Sequence, residues 1–165
     1  VSLPDIEGVQ MIETKSAQDM FDCFTKEYAD KDYIIMAAAV SDYRPKTVHE
    51  QKMKKNADQM CIELVKNPDI LAWIGEHKRP GQILCGFAME TENLEHNAKE
   101  KLSRKNCDLL VANNLFTKGA GFQTPTNVVT IFFPDHKMEL GTMTKEEVGK
   151  VILNTMKELE EKACW

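Results

Sequence analysis

The sequence predicts a three-layer α/β fold: a Rossmann-like, mostly parallel sheet with an antiparallel hairpin near the C-terminus. Three observations carry that expectation. Residues 33–40, 82–88 and 108–112 are largely apolar runs without polar alternation, as expected of strands buried on both faces of a parallel sheet. Segments with apolar residues at helical spacing separate them. Strand–helix–strand units cross over right-handedly and so lay successive strands side by side in parallel.

The elements follow in order. Residues 9–13 alternate and predict a short strand. Ser16 with Asp19 makes a helix start, and Ala17, Met20, Phe21, Phe24 and Tyr28 recur as one helical face over residues 17–29. The apolar strand 33–40 closes abruptly at Ser41-Asp42. Residues 41–60 are polar and irregular, too long for a simple connection. Residues 61–65 alternate as a strand, and Asn67-Pro68-Asp69 opens a helix with Asn as N-cap and Pro at the first helical position. That helix ends near Arg79-Pro80-Gly81. After the strand 82–88, Thr91 caps a helix whose inward stripe is Leu94, Ala98 and Leu102. The strand 108–112 ends in Asn113-Asn114, and the loop Lys118-Gly119-Ala120-Gly121-Phe122 leads to a strand over 128–133. Pro134-Asp135-His136-Lys137 turns the chain into residues 138–140. Thr144 with Glu147 is a capping box for a last helix carried by Val148, Val151, Ile152, Met156 and Leu159.

Bulk properties narrow the function. The 165 residues suffice for one domain with a core, and a net charge of −5 disfavours a general nucleic-acid role. No apolar run approaches the roughly 20 residues of a membrane helix, and no signal peptide stands at the start. Five scattered cysteines with no C-x-x-C spacing read as reduced thiols of a cytoplasmic protein without a zinc site. The chain lacks an initiator Met and begins in a loop-like Val1-Ser2-Leu3-Pro4, which reads as a fragment.

Four features could carry chemistry. Asp42, at a strand's carboxyl end, could bind a cation or a ligand hydroxyl, although a solvated loop acid explains it equally well. Lys52, Lys54 and Lys55 could hold a polyphosphate as movable point charges, or form an exposed charge run. The opening at Asn67-Pro68-Asp69 offers free N–H groups to a ligand, or simple capping. Lys101 and Lys105 share one helical face, bound to a ligand or merely solvated. A dinucleotide fingerprint is absent, since Gly119-Ala120-Gly121 lacks a third glycine and follows the wrong elements.

In order along the chain stand Ala37-Ala38-Ala39-Val40-Ser41-Asp42-Tyr43, Lys52-Met53-Lys54-Lys55 and Val65-Lys66-Asn67-Pro68-Asp69-Ile70-Leu71. Gly86-Phe87-Ala88-Met89-Glu90-Thr91 follows, then Lys101 and Lys105 before Asn106-Cys107-Asp108, then Ala112-Asn113-Asn114, and Gly121-Phe122 before Asn127. This ordered set resembles the synthetase domain of bacterial phosphopantothenoylcysteine synthetase, a domain often fused behind a flavin-dependent decarboxylase. The resemblance covers essentially the whole chain.

It implies a ligase of coenzyme A biosynthesis. CTP would activate the carboxylate of 4′-phosphopantothenate as an acyl-cytidylate, releasing pyrophosphate. The amine of cysteine would then attack, leaving CMP. The resemblance makes Lys52 the catalytic lysine, on a loop that closes over the nucleotide. It sets Ala37, Ala38 and Asp42 against CTP, with Asp42 also a ligand to Mg²⁺. Pro68, Asp69, Ile70 and Leu71 would contact base and ribose, the Asn-Pro-Asp-Ile form favouring CTP over ATP. Phe87 would pack on the nucleotide, and Lys101 and Lys105 would reach it electrostatically. FMN would enter only through a fused decarboxylase in the parent protein, and a homodimer is implied. The family's opening strand, glycine-containing turn and Ser-Ser-Gly-Lys-Met-Gly-like segment are missing. This single synthetase domain, residues 1–165, is therefore expected to be inactive alone, with the parent protein as the enzyme. Two other readings are a non-catalytic α/β nucleotide-binding or interaction domain and a nicotinamide- or flavin-binding oxidoreductase module. CTP binding separates them.

Overall fold

The structure, a computed structural model, describes residues 6–49, 51, 60–90, 93–114 and 126–163. In chain order the elements are α1 (Ala17–Glu27), a 3-10 turn (Tyr28–Asp30), β1 (Tyr33–Met36), β2 (Tyr43–Pro45), β3 (Leu64–Lys66), α2 (Ile70–His77) and β4 (Ile83–Glu90). Then come α3 (Leu94–Arg104), β5 (Leu109–Asn114), β6 (Thr126–Asn127), β7 (Val129–Phe132), β8 (Lys137–Glu139), β9 (Met143–Thr144) and α4 (Lys145–Ala163). They divide into a smaller unit, Val1–Lys26 with Ala39–Asp69, and a larger one, Glu27–Ala38 with Ile70–Trp165.

The larger unit is the expected α/β sandwich. Its sheet runs β1-β4-β5-β7-β8, the first three strands mutually parallel and the last two added antiparallel. Strand periodicity sorts the side chains. Ile83, Cys85, Leu109, Val111, Val129 and Ile131 pack under Val148, Ile152 and Met156 of α4. The opposite face meets α2 and α3 and is fitted tightly. A Cβ added at Gly86 would lie 2.8 Å from Leu110 and 3.1 Å from Leu71, and one at Gly75 would lie 1.9 Å from the Lys105 carbonyl oxygen. Glycine at these two positions lets α2 settle on the sheet and on the end of α3.

The joints of this unit are polar and satisfied. Asn106 takes the left-handed conformation (φ 49°) just past α3, and its Nδ2 donates to the Gly75 carbonyl at 2.7 Å. Asp108 Oδ2 accepts from Lys78 Nζ at 2.6 Å and from the Leu84 N–H at 2.7 Å. At the opposite corner the Tyr33 hydroxyl donates to the Glu160 carboxylate, which holds the phenol up at about 12. The capping box at Thr144 forms as expected, Glu147 N–H donating to Oγ1 at 3.2 Å and Thr144 N–H to Glu147 Oε2 at 2.8 Å.

In the smaller unit Ser16 Oγ accepts the Asp19 N–H at 3.1 Å, and Asp19 Oδ2 accepts the Ser16 N–H at 3.0 Å, so α1 starts where expected. β2 and β3 form an antiparallel ribbon, Tyr43 opposite Lys66 and Pro45 opposite Leu64.

Four expectations are corrected. Residues 9–13 form no strand, because no described segment pairs with them, and Val9 and Met11 stay exposed. The strand expected over 33–40 stops at Met36. Among the described residues β1 pairs only with β4, as far as Gly86, and α4 covers Tyr33 while Ile35 is exposed, so within them it is an edge strand rather than one buried on both faces. The strand expected at 61–65 sits at Leu64–Lys66, where pairing with β2 sets it. The helix expected from Pro68 begins at Ile70, because the Asn67 side chain is engaged elsewhere. Thr91 and the Gly119–Gly121 loop lie outside the described residues.

Candidate functional site

The smaller unit places Asp42 and the Asn-Pro-Asp turn side by side through one amide side chain. Asn67 Nδ2 donates to the Ser41 carbonyl at 2.8 Å, and the Asn67 N–H donates to the Asp42 carbonyl at 2.8 Å. Arg44 Nη1 donates to Asn67 Oδ1 at 3.0 Å and to the Lys66 carbonyl at 2.7 Å. Both chain segments are thereby clamped, with the Asp42 carboxylate exposed beside them and Pro68 and Asp69 immediately following. In sequence Asn67 has the form of a helix cap and Arg44 shows no task; a polar side chain within β2 and another just past β3 is the only available signal.

Further along, the ribbon opens into a cleft of about 470 Å³ lined by Pro45, Val48, His49, Met60, Ile62 and Glu63 among others. Lys46 pairs with Glu63 at 2.7 Å across its base. Lys52, Lys54 and Lys55 belong to the segment joining the two walls and lie outside the described residues.

In the larger unit, β1, β4 and β5 run parallel, so their carboxyl ends share one edge: Ala37 and Ala38 just past β1, Glu90 at the end of β4, Asn113 and Asn114 at the end of β5. Such an edge is where open α/β sheets bind ligands. Ala37 and Ala38 are exposed, and Ile70 and Leu71 open α2, with Ile70 buried. Phe87 is half-buried on the α4 face, packed against the core there. Lys101 Nζ donates to the Phe87 carbonyl at 2.8 Å, using one of an ammonium's three N–H groups. Lys105 ends α3, with its N–H on the Lys101 carbonyl at 2.9 Å. Lys101 and Lys105 thus keep a common helical face, and Lys101 is tied to the strand that bears Phe87.

Among the described residues no group of three or more His, Cys, Asp or Glu could hold a metal ion. Mg²⁺ is commonly held by one or two carboxylates together with substrate phosphates and water. The exposed Asp42 carboxylate fits that arrangement and no all-protein cage of the described residues. Cys23, Cys61, Cys85 and Cys107 are free thiols, and burial pushes Cys85 and Cys107 up to about 12, far from the reactive range. No helix of the described residues is long and apolar enough to cross a membrane.

A family model for the DNA/pantothenate metabolism flavoprotein C-terminal domain matches residues 1–159. The coenzyme A biosynthesis bifunctional protein CoaBC of Bacillus subtilis is 48% identical over 155 residues, 93% of this chain and 38% of that protein. The protein of the same name from Vibrio parahaemolyticus is 40% identical over 163 residues, 96% of this chain and 40% of its own length. The solved C-terminal domain of a CoaBC matches with a TM-score of 0.79 at 36% identity, covering 98% of this chain and 71% of that one. A Cab2 mutant in complex with phosphopantothenate-cysteine shares the fold at 20% identity and TM-score 0.59, over 80% of this chain and 45% of its own. The chain spans about two fifths of the length of the curated relatives it matches.

Proposed function

The chain belongs to the family of DNA/pantothenate metabolism flavoprotein C-terminal domains, and from that premise we propose that it is the synthetase domain of a cytoplasmic phosphopantothenate–cysteine ligase. The observation that carries the reading is the nearly full-length match to the coenzyme A biosynthesis bifunctional proteins. The parent protein joins 4′-phosphopantothenate and cysteine through an acyl-cytidylate formed from CTP. The carboxylate attacks the α-phosphorus as pyrophosphate leaves; the cysteine amine then displaces CMP from the acyl carbon.

Each residue's role is the one the family resemblance implies, and its chemistry suits that role. Lys52 balances the negative charge that grows on the α-phosphate, as a placed cation does in a site shielded from water. Lys101 and Lys105 add positive charge for the triphosphate, and Lys101 is already oriented by its bond to the Phe87 carbonyl. Ala37 and Ala38, small and exposed, allow close approach of the nucleotide to the backbone. Pro68, Asp69, Ile70 and Leu71 form the base and ribose wall, and Phe87 adds apolar surface. Asp42 supplies one carboxylate to a Mg²⁺ otherwise held by the triphosphate; when bound, that ion offsets phosphate charge. FMN would enter only through a fused decarboxylase domain in the parent protein and would involve none of these residues. A homodimer completes the proposal.

The test uses the full-length parent protein with CTP, Mg²⁺, phosphopantothenate and cysteine, following pyrophosphate and CMP. Pyrophosphate release dependent on phosphopantothenate, falling at least roughly a hundredfold in Lys52→Gln, is expected. No pyrophosphate from CTP or ATP would sink the ligase reading. Full activity in Lys52→Gln would keep the reaction and remove that lysine's role.

A further inference from the structure

Among the described residues, Asn113 Oδ1 is a buried side-chain oxygen with no hydrogen-bond partner. Buried acceptors are nearly always paired, and leaving one unpaired is costly. Its position makes the orphan informative. Asn113 continues the face of Leu109 and Val111, the face packed under α4, and lies one step nearer the carboxyl edge. In register it is flanked by Met89 on β4 and Val129 on β7, neither of which carries a side-chain N–H or O–H donor. Phe87 stands diagonally across, opposite Val111. A polar oxygen is thus held among apolar neighbours at the edge where the ligand of this fold class sits.

A leucine of similar size would fill the same space without the unpaired oxygen, so the structure alone gives the amide no purpose. Resting on the ligase reading above, we propose that Asn113 is a substrate-contact residue whose side-chain carbonyl accepts a hydrogen bond from an uncharged N–H or O–H of the substrates. An amide oxygen is an acceptor only. It therefore turns away phosphate and carboxylate oxygens and selects the neutral parts of the ligands. Those are the base amine and ribose hydroxyls of the nucleotide, or the amide and hydroxyl of the pantothenate portion.

Titration calorimetry of the full-length protein with CTP and with phosphopantothenate separately distinguishes the two sources, with pyrophosphate release measured in parallel. Asn113→Leu removes the acceptor, and Asn113→Asp keeps one in the same shape; Asn113→Ala replaces the leucine variant if that one does not fold. Asn113→Leu is expected to weaken binding of one of the two ligands at least tenfold while the melting temperature holds or rises, and Asn113→Asp to retain binding within about threefold. Wild-type turnover with both ligands bound equally by wild type and Asn113→Leu would overturn the proposal and leave the ligase reading standing. Equal loss in the leucine and aspartate variants would overturn it too, since the amide N–H groups that both variants lack, and not the carbonyl acceptor, would then be what matters. A wild-type protein that releases no pyrophosphate would bring down the ligase reading, and with it this one.

Discussion

The two units of this chain treat similar apolar sequence in opposite ways. In the larger unit Ile74, Leu84, Cys85, Leu109, Leu110, Val111 and Ile131 are wholly buried between sheet and helices. In the smaller unit no described residue is buried, and Val48, Met60, Ile62 and Leu64 are left exposed on or beside the ribbon. Residues 60–65, Met-Cys-Ile-Glu-Leu-Val, are no less apolar than many core strands. What differs is the covering: a strand packed by helices on both faces gains from each apolar side chain, and a two-stranded ribbon does not. Stability therefore resides in the sheet, while Asp42 and the clamp at Asn67 belong to the unit with little core among the described residues. Asp42, proposed above to bind, thus lies in the less stable part, as ligand-binding elements of proteins commonly do.

The sharpest way to break this contrast is Gly75→Ala. Its new Cβ would meet the Lys105 carbonyl at 1.9 Å, and backbone cannot step aside cheaply. A loss of about 3 kcal/mol or more, or failure to fold, is expected in urea denaturation. Gly149→Ala on α4, where nothing lies within 4 Å, should instead be neutral or stabilising by up to about 1 kcal/mol. Ile74→Ala empties a fully buried site and should cost about 2–5 kcal/mol by the same measurement.

Asn67→Ala should show the opposite profile. Losing its side-chain bonds to Ser41 and Arg44 should cost about 1 kcal/mol, felt as faster hydrogen exchange at the ribbon amides Lys46 and Asn67, with the sheet amides unchanged. Sheet amides that quicken as much as the ribbon ones would mean that the two units unfold as one.

The smallest effect is electrostatic. Hydrogen bonds from Lys99 at 2.8 Å and Lys137 at 2.9 Å hold the Glu95 carboxyl down at about 2. A carboxyl lowered on folding adds stability above its unfolded value of 4.5, which is lost as pH falls toward 2. The melting temperature should therefore drop between those limits less steeply in Glu95→Gln, by a degree or so and only at low salt, because the group is exposed. Identical slopes for the two proteins would show that solvent screens the pairs completely.

Local rules succeeded wherever a few neighbouring residues decide the outcome. Ser16 with Asp19 and Thr144 with Glu147 started their helices as expected, and Pro134-Asp135-His136-Lys137 made its hairpin. Alternating elements sufficed for the fold class. Reading failed where a distant partner decides. Residues 37–40 are as apolar as the strand before them, yet β1's pairing with β4 ends at Met36 opposite Gly86, and nothing in residues 37–40 themselves signals that end. Asn67 carried every mark of a helix cap, and the competing demand from Ser41 and Arg44 lies 23 or more residues away in sequence. The glycine at 75 gave no signal at all, since its need comes from the Lys105 carbonyl across space. For the site, an ordered set of motifs was legible, whereas the unpaired oxygen of Asn113 exists only once three strands stand side by side.

One corner of the sheet unit bears on how the chain meets a protease. Lys78-Arg79, leading into the exposed Pro80-Gly81 turn, is a basic pair that in sequence offers trypsin the bond after Lys78, since proline protects the bond after Arg79. Yet the Arg79 guanidinium donates to the Ala29 carbonyl at 3.1 Å and to Asp32 at 2.9 Å, and the buried Gln82 amide joins Arg79 N–H to the carbonyls of Tyr28 and Lys31. A scissile bond must be drawn out straight into an enzyme's cleft, and the Lys78–Arg79 bond cannot be drawn out while these contacts hold. Cleavage there reports that the sheet itself has opened, which makes this turn a built-in gauge of whether the larger unit is folded.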